Sequence, residues 1–194
     1  DIIKPHLDVG MFVHSLEAEI VFCRDALGLD FDHMVKLGGG IHQHRFHLNG
    51  SILKVNHSRA LLPSAPPSGF RRLRIARQGL SLIESLTDSE GTSIHLVPKG
   101  EKGVMGIGID LFARNRDAHD QFWRKVMGFP SPYPNTYACG DSLIFVHEDP
   151  RASSAQVSWK GYGLRYLTVQ VRDCALAHGE ILARGGEEAA SPIS

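Results

Sequence analysis

The sequence predicts an α+β protein built by repeating a strand–helix–hairpin unit, with the last copy incomplete. Three observations lead there. A strand-like alternation followed by a helical run opens the chain. The strongest short-range hairpin signal available, Asn49-Gly50 between two extended runs, comes next. The same order of signals then returns, with Val9 to Gly28 and Ile109 to Gly128 spanning the same interval.

Taken in order, residues 5–13 alternate like a half-buried strand, with Val9, Met11 and Val13 on one face. From Ser15, the residues Leu16, Ile20, Cys23 and Leu27 recur at helical spacing, and Gly28 closes the run as a C-terminal cap does. A two-residue loop at Asn49-Gly50 fixes the next register. It pairs Leu48 with Ser51, Phe46 with Leu53 and His44 with Val55 on one face, and His47 with Ile52, Arg45 with Lys54 and Gln43 with Asn56 on the other. Residues 85–100 read as a turn and a short strand that carries His95 among apolar neighbours. Residues 106–113 are the next strand, and 117–127 the next helix, with Ala118, Phe122 and Val126 inward and Gly128 as its stop. Tyr137-Ala138-Cys139 and residues 143–146 make a hairpin around Gly140-Asp141. A third start follows at 164–171, with Asp173 as helix cap, Ala177 and Ile181 as helix core and Gly185-Gly186 as stop. Few residues remain to finish that copy.

Composition narrows the function classes. With 194 residues, 42% hydrophobic and 22% charged, the chain is long enough to bury a substantial core. Lys plus Arg balances Asp plus Glu at 21 each, so there is no net positive field to attract nucleic acid or an anionic membrane, and a small-molecule ligand is the expected partner. Cys23, Cys139 and Cys174 are scattered, without a C-x-x-C pair, which fits a reducing, cytoplasmic setting.

Four stretches carry a resemblance to a known family. They are D-V-G-M-F-V-H-S-L-E-A-E-I-V-F-C-R-D-A-L-G-L from Asp8, T-D-S-E-G-T-S-I-H-L-V-P from Thr87, F-W-R-K-V-M-G-F from Phe122 and V-R-D from Val171. Together they resemble the vicinal oxygen chelate superfamily of glyoxalases, bleomycin-resistance proteins and extradiol dioxygenases. The resemblance implies repeated βαβββ modules that pair into curled, cup-like mixed sheets. It divides the chain into one glyoxalase-like domain over 1–103, with a first module at 5–58 and a reduced second module at 69–100, and another over 104–194, with a third module at 104–149 and an incomplete fourth at 161–194. The strand begun at Leu164 is therefore expected to lack partners within these residues, and further chain or a second copy in a homodimer to supply them.

The resemblance also implies a function: a glyoxalase-like small-molecule enzyme, a metal-assisted lyase, isomerase or dioxygenase acting on a small oxygen-rich or anionic substrate. The alternative is a metal-free binding and sequestering protein of the bleomycin-resistance type. In the metal-dependent members the residue four after the turn glycine is a carboxylate ligand facing the cup, and from Gly91 that position is His95. The first-strand ligand position falls on Asp8, and His47 shares the inferred cup face. His95, Asp8 and His47 are thus the candidate ligands for one divalent ion, Fe, Mn, Ni or Zn. The family's other usual carboxylate, four after Gly50, is here Lys54, a cation that repels a divalent metal.

The register adds a constellation that the resemblance does not require. Arg45 and Lys54 face each other across the hairpin, and like charges so placed need a neutralising partner, for which Asp8 is nearest. An Asp8–Lys54 pair would stand where the family holds its metal and leave one cation for a carboxylate, enolate or phosphate. Arg45, Lys54 and Asn56 are the substrate-binding candidates. Arg71, Arg72, Arg74 and Arg77 read as charges guarding a sheet edge ahead of an anion grip, His147 as the polar end of a strand, and Asn49 as turn chemistry.

Overall fold

The computed structural model describes residues 2–153 and 158–192. The chain runs through β1 (Asp8–Phe12), α1 (Leu16–Val21), β2 (Phe31–Gly38), β3 (Ile41–Leu48), β4 (Ser51–Ser58), β5 (Phe70–Arg77), β6 (Glu84–Thr87), β7 (Ser93–Pro98), β8 (Ile107–Ala113), α2 (Arg116–Gln121), β9 (Thr136–Cys139), β10 (Ser142–Glu148), β11 (Gly163–Thr168) and α3 (Cys174–Ala183). These strands form two curled mixed sheets, ordered β11-β1-β4-β3-β2 and β6-β7-β5-β8-β10-β9. Within each, β1 runs parallel to β4, β5 to β7 and β8 to β10, and the remaining pairs are antiparallel. No helix among the described residues is long and apolar enough to cross a membrane.

The two sheets do not follow the two halves of the sequence. β5 pairs antiparallel with β8, and β11 pairs antiparallel with β1. The strand begun near Leu164 thus has a partner on one side, and its other edge carries none among the described residues. The β3–β4 hairpin has the register that its two-residue turn requires, from Leu48 opposite Ser51 to Gln43 opposite Asn56. Asn49 sits at positive φ in that turn, and its Nδ2 donates to Ala76 O at 2.8 Å and Gly106 O at 3.1 Å, tying the tip of one sheet to strands of the other.

The main core lies between the sheets. Val9, Met11, Phe46, Leu53 and Val55 of the five-stranded sheet meet Leu73, Ile75, Ile94, Ile107 and Ile109 of the six-stranded one, with Cys23 and Leu27 from the first helical segment. Both repeat helices end in a π turn, at Phe22–Ala26 and Phe122–Val126, closed by Leu27 N–H to Phe22 O and Met127 N–H to Phe122 O. Of the residues expected inward in the second helix, Val126 is buried, but Phe122 is 37% exposed and Ala118 is exposed, while the neighbouring Trp123 is 7% exposed and stacks on Phe129. Asp173 caps α3 through Leu176 N–H as expected, but α3 buries no residue, so Ala177 and Ile181 are only half-covered.

One helix charge has a pH signature. Glu19 is buried and accepts from Ser89 Oγ at 2.7 Å, docking α1 on the turn before β7. Burial, aided by Asp88 and Glu90 and opposed by Ser89, pushes its carboxyl from about 4.5 up to about 6. A folded pKa above the unfolded one gives stability that is complete below about 4.5 and lost as pH rises through about 6. Glu19→Gln should therefore raise stability by about 1–2 kcal/mol at pH 8 and change little at pH 4, read from urea unfolding at both values. A difference that is the same at both pH values would contradict this account of the carboxyl.

Candidate functional site

The polar side of the five-stranded sheet gathers around Asp8. Its Oδ1 accepts from Lys4 Nζ at 2.5 Å and from Ile52 N–H at 2.9 Å, and its Oδ2 lies 3.2 Å from Lys54 Nζ. Burial raises the Asp8 pKa, but the Lys4 hydrogen bond and the Lys54 and Lys4 charges outweigh it and hold the group below 3.8. Lys54 also donates to Thr168 Oγ1 at 2.6 Å, a contact that exists because β11 flanks β1. Burial lowers the Lys54 pKa, with Asp8 opposing and Arg45 and Lys4 adding to the fall.

Beside this cluster lies an amide network. Asn56, fully buried, donates through Nδ2 to Met11 O at 2.8 Å and to the Tyr166 hydroxyl at 2.9 Å. Gln43 Nε2 donates to Asn56 Oδ1 at 3.0 Å and to the same hydroxyl at 3.2 Å, and Gln43 Oε1 accepts from Arg45 Nε at 2.8 Å. Tyr166 fits because its ring crosses β1 at Gly10, where a Cβ would lie 2.0 Å from Cζ. Its oxygen accepts from two amides, and its own proton has no acceptor among the described residues. Arg45 has no carboxylate partner among the described residues.

A second polar cluster occupies the six-stranded sheet. Asp110, fully buried on β8, accepts from Arg74 Nε and Nη2 at 3.0 Å each and from Arg72 Nη1 at 3.3 Å, with His147 Nε2 at 2.7 Å from its Oδ1. His95 sits directly across from Arg74 on β7. Burial lowers the His95 pKa, and Arg72 and Arg74 lower it further.

The candidate residues thus separate. Asp8, Lys54, Arg45 and Asn56 share one face, as the hairpin register requires. His47 is on the same hairpin, but its side chain is 61% exposed and its Nε2 lies 3.8 Å from Asp32. His95 is on the other sheet. The structure therefore does not bring His95, Asp8 and His47 together, and no group of three or more His, Cys, Asp or Glu among the described residues is placed to hold a metal ion. The arginines read as edge guards are on β5, which lies between β7 and β8, so Arg72 and Arg74 protect no edge. His147 stands at the polar end of β10, as expected, and is also a partner of Asp110.

No family model matches the chain, and no curated protein matches it by sequence. In structure it is similar to glyoxalase I from Zea mays, with a TM-score of 0.67 and 10% identity over 92% of this chain and 79% of that one. It is also similar to a "putative dioxygenase" from Bacillus subtilis, with a TM-score of 0.68 and 13% identity over 92% of this chain and 74% of that one. At these identities the likeness is one of fold, and the fold is glyoxalase-like.

A divalent ion of the kind that the superfamily resemblance implies does not fit this donor set. Both oxygens of Asp8 already face ammonium groups, and the adjoining donors are cations and amides. Asp8→Asn should leave Lys54 half-buried without its anion and cost about 3 kcal/mol, the low end for breaking a buried pair. The double change Asp8→Asn with Lys54→Met should recover at least half of that loss in urea unfolding. Equal losses in the single and double variants would show that Lys54 does not depend on Asp8.

Proposed function

We propose that this protein binds a small anionic, oxygen-rich molecule on the polar face of the five-stranded sheet, without a metal ion, in the manner of the bleomycin-resistance type. One observation carries the reading: the Asp8–Lys54 pair stands where the superfamily resemblance puts metal ligands, and it leaves Arg45 without a carboxylate. Arg45 retains the planar donor edge that grips a carboxylate or phosphate bidentately. Lys54, half-buried and flanked by Lys4, adds positive potential beside it. The Tyr166 hydroxyl donates to a second oxygen of the ligand.

An enzymatic reading rests on that same hydroxyl. With two amides fixing its oxygen, Tyr166 is oriented to protonate an enolate held by Arg45, which is lyase or isomerase chemistry without a metal.

Thermal melts test the proposal. Manganese, nickel, zinc and ferrous iron should leave the melting temperature nearly unchanged, while one or more of a panel of small carboxylates and phosphate monoesters should raise it. Saturation at 100 times Kd corresponds to about 2.7 kcal/mol. Arg45→Gln should abolish the response of this face. Roughly stoichiometric metal in protein purified without added ions, lost in Asp8→Asn, would overturn the metal-free reading.

A further inference from the structure

The cluster around Asp110 has more cation than its one carboxylate can satisfy. Asp110 Oδ1 faces Arg74 Nη2 and His147 Nε2, and Oδ2 faces Arg74 Nε and Arg72 Nη1, so both oxygens are fully engaged. A guanidinium carries five N–H donors. Arg74 uses its Nε and Nη2 on Asp110, and Arg72 uses Nη1 there and Nε on Ser93 Oγ at 3.4 Å. The outer N–H groups of both arginines have no acceptor among the described residues. Two guanidiniums against one carboxylate leave a surplus positive charge on a central strand, where a structural ion pair needs only one arginine.

The surroundings are shaped to keep that surplus in place. Arg74 lies over the Phe145 ring at 5.1 Å, and both approach the sheet at Gly108, where a Cβ would meet Phe145 Cε2 at 2.7 Å and Arg74 Cδ at 3.4 Å. His147 stacks on Phe112 at 4.8 Å. Arg72 is the accessible member, with its side chain 32% exposed against 7% for Arg74. Ser93, its partner, also lines a neighbouring cavity of about 560 Å³ that Arg71 and Glu90 border and whose wall does not include Arg72, Arg74 or His95. Facing Arg74 across β5–β7 is His95, whose neutral form the two arginines favour.

We propose that the six-stranded sheet carries a second, independent oxyanion site, in which Arg72 and the outer edge of Arg74, with His95 beside them over Asp110, hold the carboxylate or phosphate of a small molecule. The anion neutralises the surplus charge, takes the unpaired guanidinium donors in a planar fork and accepts from a ring N–H of His95.

The test uses the full chain with Arg45→Gln already in place, so that the face of the other sheet does not contribute and the failure of either reading is seen separately. Inorganic phosphate and propanoate are the probes, with sodium chloride at matched ionic strength as the blank. At least one probe should raise the melting temperature, and adding Arg72→Gln should weaken its binding about tenfold or more, equivalent to about 1.4 kcal/mol. Arg74 and His147 still satisfy Asp110 in that variant. Arg72→Lys, which keeps the charge and loses the fork, should fall between the two and serves if Arg72→Gln does not fold. A stronger response to propanoate assigns a carboxylate ligand, and a stronger response to phosphate a phosphate ester. If neither probe shifts the melt, or if Arg72→Gln lowers stability while leaving probe binding unchanged, the cluster is only a staple between strands and the proposal falls.

Discussion

A carboxylate taken out of water holds its place only when cations and N–H donors replace the water it lost. This protein meets that constraint once in each sheet. Asp8 is met by Lys4, Lys54 and the Ile52 amide, and Asp110 by Arg74, Arg72 and His147. Each carboxylate reaches across neighbouring strands, so its partners fix which strands must lie side by side. Asp110 on β8 draws on β5 and β10, and Asp8 on β1 draws on β4, whose Lys54 also reaches β11 at Thr168.

The same constraint shapes function. In each sheet the cations outnumber the acid, and the excess faces the polar side: Arg45 beside Asp8, and Arg72 above Asp110. The anion binding we propose rests on that imbalance, whereas metal binding asks for the opposite excess. Each sheet presents one such face, and the edge-to-edge pairing of β1 with β11 and of β5 with β8 joins distant parts of the chain within each. Asn49 then fastens the hairpin of one sheet to the strands of the other.

How much of this was legible in the sequence depended on range. The β3–β4 register was fully readable, because a two-residue turn leaves no freedom and places Arg45 against Lys54 and Gln43 against Asn56. The Asp8–Lys54 pair followed from it by charge alone. In the second helix Val126 is buried where the spacing put it, but Trp123 takes the inward place expected for Phe122, a choice between adjacent aromatic residues that the spacing alone does not make. His95 could not be separated from Asp8 by local pattern, because which modules share a sheet is decided by long-range pairing. Strand order likewise turned the β5 arginines from edge guards into central residues. A readable sign was present all the same: Asp110 sits inside G-I-G-I-D-L-F-A, and an acid in so apolar a strand must have a buried cation as its partner.

The central claim is that Asp8 is ionised and held by ammonium groups rather than available to a metal. Carbon-13 NMR of the Asp8 side-chain carboxyl, titrated from neutral to acid pH and repeated in Lys54→Met, measures this directly. The account expects a midpoint below 3.8 in the wild-type chain and an upward shift when Lys54 is removed. A midpoint above 3.8, or one indifferent to Lys54, would contradict it.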